Sequence, residues 1–200
     1  MKDNAARLAA LRRELESLLA EVYPGREKVA VFGEGDPSAR IMLVGEAPGR
    51  EETLAQKPFV GKAGKNLDEF LALAELDRGG LYVTNTVKLR PTKVSAAGNT
   101  VNRPPTREEV KLFLPWLERE IGIVNPEVVV TLGNVPLKAL TGNKSIIGDM
   151  HGAFTQLESG RKLYPIYHPA SLIYNRSLTD TYREDLERLK VWLDGEKEKK

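Results

Sequence analysis

The sequence predicts an α/β fold: one domain with a central four-stranded parallel sheet and helices on both faces. Three observations predict it. Apolar runs of strand length alternate with longer amphipathic segments, the pattern of a parallel sheet with crossover helices. Each run empties into a loop opening on glycine, asparagine or histidine, as in open α/β folds that bind ligands beyond the carboxyl ends of their strands. Finally, 200 residues with 41% hydrophobic content suffice for one full core and not for two of ordinary size. The domain is expected to span 1–200, with its core at about 30–190.

The elements follow in order. Leu8, Leu11, Leu15, Leu18 and Val22 recur at steps of three and four, so an amphipathic helix is predicted over about 3–22, closed by Tyr23-Pro24-Gly25. Val29 to Phe32 reads as a short strand, and Gly33 to Pro37 as a turn before the first long strand at Arg40 to Val44. Gly45 then opens a glycine-rich stretch that runs through Glu46, Pro48 and Phe59 to Gly61-Lys62-Ala63-Gly64. Leu67, Phe70, Leu71 and Ala74 mark the helix behind it, and Leu81 to Thr84 a second strand ending at Asn85.

Leu89 to Pro105 is a polar loop whose surroundings carry Lys88, Arg90, Lys93 and Arg103, and a loop of that length is usually functional or disordered. Thr106 and Glu109 form a capping box ahead of a helix with Val110, Phe113, Leu114, Leu117 and Ile121 on its apolar face. Glu127 to Leu132 is the third strand, ending at Gly133-Asn134, and Pro136 starts a short helix. After an irregular connection from Gly142 to Gly152, Lys162 to Tyr167 is the fourth strand, ending at His168-Pro169-Ala170-Ser171. Tyr182, Leu186, Leu189 and Leu193 face inward on a last helix, and a charged tail at about 195–200 is expected to fray.

Composition narrows the chemistry. No apolar run reaches bilayer length, and the first residues carry charges throughout instead of a signal-peptide core, so a cytoplasmic, nucleoid-associated protein is expected. Cysteine is absent, which excludes disulfides, thiolate nucleophiles and sulfur-held metals. With His151 and His168 the only histidines, no usual metal-ligand spacing is present and no metal is expected. A net charge of +2 permits a polyanionic partner without requiring one.

Four strand ends therefore converge: Gly45-Glu46, Asn85, Gly133-Asn134 and His168. Singly, Glu46 also fits a turn acid, Asn85 a strand terminator, Phe59 a core aromatic and His168 a loop residue. An acid, an amide, an aromatic and an imidazole together at one sheet edge point instead to a site.

These residues carry a resemblance to the family 4 uracil-DNA glycosylases of bacteria and archaea. The matching blocks are Gly45-Glu46-Ala47-Pro48-Gly49 with Glu52, Pro58-Phe59-Val60-Gly61 with Ala63-Gly64, Thr84-Asn85 with Val87-Lys88, and His168-Pro169-Ala170-Ser171. The resemblance implies an enzyme that flips uracil out of DNA and hydrolyses its glycosidic bond. Gly45, Ala47, Phe59 and Asn85 would line the uracil, Phe59 by stacking and Asn85 by pairing with O4 and N3–H. Glu46 and His168 would be catalytic: Glu46 beside the oxocarbenium-like sugar and the water, His168 donating to O2 as charge develops there.

Gly61, Lys62, Gly64, Lys88, Arg90, Arg103 and Ser171 would contact the DNA backbone, and Leu172 or Ile173 would wedge into the gap left by the flipped nucleotide. For Leu172, core packing stands equally open. The partner is uracil-containing DNA, and no cofactor is expected. The family's four-iron cluster cannot be held by a chain without cysteine; Leu89 and Leu114 are read as standing at two of its ligand positions. The loop from Thr92 to Arg103 is longer than the family's and lacks the histidine with which a related branch traps the sugar. A non-catalytic DNA-binding paralogue, or one acting on other deaminated bases, is the alternative. A hydrolase or nucleotide-binding protein acting on small molecules is the third reading.

Overall fold

The structure is a computed structural model that describes residues 2–25, 28–142 and 145–197. In chain order its first half contains α1 (Lys2–Val22), β1 (Glu34–Gly35), β2 (Ile41–Gly45), α2 (Arg50–Ala55), α3 (Lys62–Leu73), β3 (Tyr82–Asn85), β4 (Thr92–Val94) and β5 (Thr100–Asn102). The second half contains α4 (Arg107–Val124), β6 (Val128–Leu132), α5 (Asn134–Thr141), α6 (Ile147–Met150), β7 (Thr155–Gln156), β8 (Lys162–Ile166), α7 (Ser171–Tyr174) and α8 (Thr179–Lys197).

The main sheet has the order β1-β3-β2-β6-β8-β7. Its four inner strands are parallel, with Gly45 opposite Asn85 and Leu132 opposite Ile166, so their carboxyl ends fall on one edge as expected. The four-stranded expectation needs two corrections. Two-residue strands, β1 and β7, flank the parallel core antiparallel. In addition, the strand expected at Val29 to Phe32 forms at Glu34–Gly35 instead. Val31 N–H donates to Lys88 O at 2.8 Å, a single backbone contact without a ladder.

Strand alternation sorts the core into two layers. Ile41, Leu43, Val83, Val128, Val130 and Ile166 pack against Leu67 and Leu71 of α3 and against Tyr182, Leu186, Leu189 and Leu193 of α8. Met42, Val44, Tyr82, Val129 and Leu163 face the other way, onto Leu117, Ile121 and Val124 of α4 and Leu137 of α5. The helix α1 forms a further layer on α4, where Leu15 and Leu19 meet Phe113. Its buried stripe is Leu11, Leu15 and Leu19; Val22, expected inside, is exposed. The last helix continues to Lys197, so the tail expected to fray is helical up to there, and 198–200 lie outside the described residues. Among the described residues no helix is long and apolar enough to cross a membrane.

The capping box of α4 is formed: Glu109 N–H donates to Thr106 Oγ1 at 3.2 Å, and Thr106 N–H to Glu109 Oε2 at 2.7 Å. The polar segment before it, expected to be irregular, is a β-hairpin of β4 and β5.

Behind β3 lies a buried ion pair. Lys88, 1% exposed, points inward, and its three ammonium protons go to Glu120 Oε2 (2.5 Å), Thr84 Oγ1 (2.6 Å) and Asn85 O (2.8 Å). Glu120 also accepts from Tyr82 Oη (2.9 Å) and Thr84 Oγ1 (3.0 Å). Lys88 is thus corrected from a DNA contact to an interior cation. Removing one partner strands a buried charge, which typically costs about 3–5 kcal/mol. Lys88→Ala should lower the unfolding free energy by about that much in urea titrations, and Lys88→Met with Glu120→Leu should recover most of it. Wild-type stability for Lys88→Ala would contradict the pairing.

Candidate active site

Gly45, the last residue of β2, has no side chain for a physical reason. A Cβ there would collide with Asn85 Oδ1 and with the Phe59 ring, so its absence lets both approach the strand end. The ladder between β2 and β3 continues past the strands through Thr86 N–H to Gly45 O (2.8 Å) and Val87 N–H to Glu46 O (3.0 Å). Asn85, 3% exposed, is thereby anchored by the two residues that follow it, and it lines the cavity.

Phe59 adopts a left-handed backbone, φ +55°, which is costly for a bulky residue and persists only where surroundings impose it. Those surroundings are visible. Arg78 donates to Pro58 O (3.0 Å) and Phe59 O (3.4 Å) and is itself paired with Asp68. Gly64 lies under the Phe59 carbonyl so closely that any Cβ would clash. Glu52 closes the loop from its other end, accepting from Gly49 N–H (3.1 Å), Val60 N–H (3.1 Å) and Gly61 N–H (2.7 Å). One carboxylate therefore fastens the Gly45–Gly49 turn to the Phe59 loop.

His168 stands beyond β8 with its ring 6.0 Å from that of Phe59. Ala170 N–H donates to its Nδ1 at 3.1 Å, so Nδ1 is an acceptor and the proton sits on Nε2. Burial pushes the imidazole down to about 4, which keeps it neutral at physiological pH and makes Nε2–H a donor. Asn66 Nδ2 donates to Pro169 O (3.3 Å), tying α3 to this loop. Glu46 is half-buried, and burial alone raises its carboxyl above the usual range.

A cavity of about 440 Å³ collects these parts, with Ala47, Phe59, Asn85, His168, Ala170 and Asn102 in its wall and Arg50, Lys62, Ile173 and Tyr174 among its other lining residues. Gly45 and Glu46 are not themselves lining residues, but they adjoin ones that are: Ala47 follows Glu46, and Gly45 lies against Asn85 and the Phe59 ring.

Several expected DNA contacts are placed differently. Gly61 lines the cavity but already gives its amide to Glu52, and Gly64 is buried beneath Phe59. Arg103 spends its guanidinium on Glu109 (2.6 and 2.7 Å), and Arg90 Nε donates to Asn102 Oδ1 (2.6 Å). Leu172 is 7% exposed and packs in the core, while Ile173 and the 88% exposed Tyr174 stand at the cavity. Lys62 remains exposed, and Ser171 is half-buried with its N–H on His168 O (2.8 Å). Sequence reasoning missed Arg50, Asn102 and Tyr174. Arg50 follows the Gly45–Gly49 block and Tyr174 follows Ser171 by three residues, so both had a positional signal; Asn102 had none.

Leu89 packs in the cluster of Leu15, Leu19, Val87 and Phe113, whereas Leu114 packs with the opposite layer. On α4, Phe113 together with Val110, Leu112 and Trp116 belongs to the cluster of Leu89, and Leu114 does not. Among the described residues no group of three or more His, Cys, Asp or Glu could hold a metal.

The edge of the parallel sheet thus brings a buried amide and a neutral imidazole from the ends of β3 and β8, and an aromatic from the loop before α3, to one cavity. The chain belongs to the uracil DNA glycosylase superfamily, whose family model matches residues 32–192. It is 37% identical over 169 residues to the type-4 uracil-DNA glycosylase of Sulfurisphaera tokodaii, covering 80% of this chain and 73% of the relative. The type-4 uracil-DNA glycosylase of Pyrobaculum aerophilum is 39% identical over 169 residues, covering 80% and 81%. The crystal structure of Pedobacter heparinus SMUG2 shares the fold, with a TM-score of 0.54 at 14% identity over 80% of this chain and 78% of that one.

The His168 geometry has a measurable signature. NMR of the ring nitrogens should show the Nε2–H tautomer from pH 8 to 5 and a midpoint at about 4. Unfolded histidine titrates near 6.5, so between 6.5 and 4 the unfolded chain binds more protons and stability should fall as pH is lowered. His168→Gln should remove that share; a midpoint near 6.5 would refute the burial argument.

Proposed function

We propose that this chain, acting as one glycosylase domain over 1–200, excises uracil from DNA by hydrolysing the N-glycosidic bond and leaves an abasic site. The observation that carries the reading is a neutral histidine, with its donor on Nε2, in the same cavity as Phe59 and the Asn85 amide. Duplex-buried uracil must be extruded to reach such a cavity, at a cost of a few kcal/mol. Stacking on Phe59 offsets part of this, at about 1–3 kcal/mol per base. Asn85 donates to O4 and accepts from N3–H; cytosine presents the reverse pattern and leaves both partners unsatisfied.

As the glycosidic bond lengthens, the electron pair moves onto the uracil ring and charge appears at O2. His168 Nε2–H donates there, and because the ring is already neutral it need not lose a proton to do so. Glu46, ionised, stabilises the oxocarbenium-like sugar and orients the water that attacks C1′. Arg50 and Lys62 at the mouth meet the phosphates flanking the nucleotide without reading sequence. Ile173 and Tyr174 take the wedge role expected of Leu172. The chemistry as proposed runs without a metal or cluster, in the cytoplasm at the nucleoid.

A labelled oligonucleotide with one uracil, incubated with the protein and EDTA, should become alkali-labile. Bound but intact DNA would indicate a binding paralogue, and neither binding nor cleavage would discard the reading. Glu46→Gln, Asn85→Ala and His168→Ala should each slow single-turnover excision by about 10²-fold or more while leaving the fold intact.

The rate should also fall as pH drops through the Glu46 value, which lies above the usual 4.5, with His168 protonation following only near 4. The residual activity of Glu46→Gln should lack the first limb. Persistence of that limb in Glu46→Gln would remove Glu46 from its role.

A further inference from the structure

The β4–β5 hairpin lies outside the motif blocks, yet it is built as a fixed arm. Its register sets Thr92 opposite Asn102, Lys93 opposite Val101 and Val94 opposite Thr100. Arg103 pins the base: Nε donates to Thr92 O (3.0 Å), the backbone N–H to Pro91 O (3.2 Å), and the two terminal nitrogens grip Glu109 of the α4 capping box. An arm held by a bidentate pair to a capped helix keeps its last residue in place.

That last residue is Asn102, in the wall of the cavity that holds Phe59, Asn85 and His168. Its amide is oriented. Arg90 Nε donates to Oδ1 at 2.6 Å, and because a guanidinium only donates, the oxygen must face Arg90 and the NH₂ must face away. Nδ2 then lies 3.3 Å from the place where a Cβ on Gly49 would stand, against the turn that carries Glu46. The hydrogen bonds of the described residues give Nδ2 no acceptor, so both of its N–H groups remain for a ligand. Asn102 is exposed at the rim of the cavity, so both N–H groups are open to whatever occupies it.

We infer that Asn102 is a substrate-contacting residue: its Nδ2 donates a hydrogen bond to an oxygen of the extruded deoxyuridine from the hairpin side, and Arg90 is the positioning residue that fixes the amide in that sense. This inference rests on the glycosylase reading above. Uracil carbonyls, deoxyribose and phosphate all offer oxygens, so the ligand chemistry at this wall is acceptor chemistry. The hairpin thereby adds a wall that the four motif blocks do not encode.

The test compares single-turnover excision rates and KM for the full-length wild type, Asn102→Ala, Asn102→Asp, Arg90→Met and Thr100→Ala on one uracil-containing oligonucleotide. Asn102→Asp is the discriminating variant. It keeps, and charge-assists, the bond from Arg90, so a bracing role survives it, but it removes both donors and turns a carboxylate towards the substrate oxygens.

The expected result is a loss of about tenfold in kcat/KM for Asn102→Ala, a larger loss for Asn102→Asp with an unchanged melting temperature, and an intermediate loss for Arg90→Met. Thr100→Ala, nearer the hairpin tip, should match the wild type. Wild-type kinetics for Asn102→Asp would overturn the inference and leave the glycosylase reading standing. A wild type that does not excise uracil would overturn that reading itself, and with it the premise of this one.

Discussion

The site depends on one buried charge pair. Lys88 and Glu120 sit between β3 and α4, and the lysine's third proton goes to the backbone carbonyl of Asn85. Two ions taken out of water cost several kcal/mol each, so such a pair is poor evidence for stability and good evidence for geometry. Here the geometry is complete: all three ammonium protons are used, and Glu120 gathers Tyr82, Thr84 and Lys88. The end of β3, with its Asn85 carbonyl, and the middle of α4 are thereby locked to each other. Lys88 and Glu120 lie outside the cavity lining yet hold the backbone of Asn85, which lines it, as supporting partners do for a side chain kept in a fixed geometry.

The same logic extends outward through single side chains that each join two loops. Glu52 binds amides on both sides of the glycine-rich stretch, Arg78 holds the left-handed turn at Phe59, and Asn66 reaches from α3 to Pro169. Together they fix where the aromatic, the amide and the imidazole stand relative to one another. The glycines at 45 and 64 are the complement: they are the places where the rigid parts come too close for a side chain.

Much of this was legible in the sequence because it follows from local rules. Four apolar runs gave the parallel core, the Thr106–Glu109 spacing gave a real capping box, and the strand ends gave Asn85 and His168. What was not legible depends on long-range partners. A lysine next to Asn85 reads as a surface cation until Glu120, 32 residues away, is seen to meet it. Arg103 reads as a DNA contact until Glu109 takes both of its nitrogens, and Leu172 and Ile173 differ only in which side of a four-residue helix faces the core. The polar run from 89 to 105 hid a hairpin because its strands are three residues long and mostly exposed.

The absence of cysteine can be understood on the same terms. The apolar cluster around Leu89 lies between α1 and α4 and includes Leu15, Leu19, Val87 and Phe113, with Ala47 of the cavity wall packed against it. A cross-link at that place would fasten α1 to α4 and to the segment after β3. Here the fastening comes from packing, helped by Arg119 to Glu14 (2.7 Å) across the two helices. Burying a Leu or Phe side chain is worth about 1.5–3 kcal/mol, so several such residues give an anchor of comparable purpose without thiolates. The anchor meets the site through Val87, next to Lys88, and through Ala47, which lines the cavity itself.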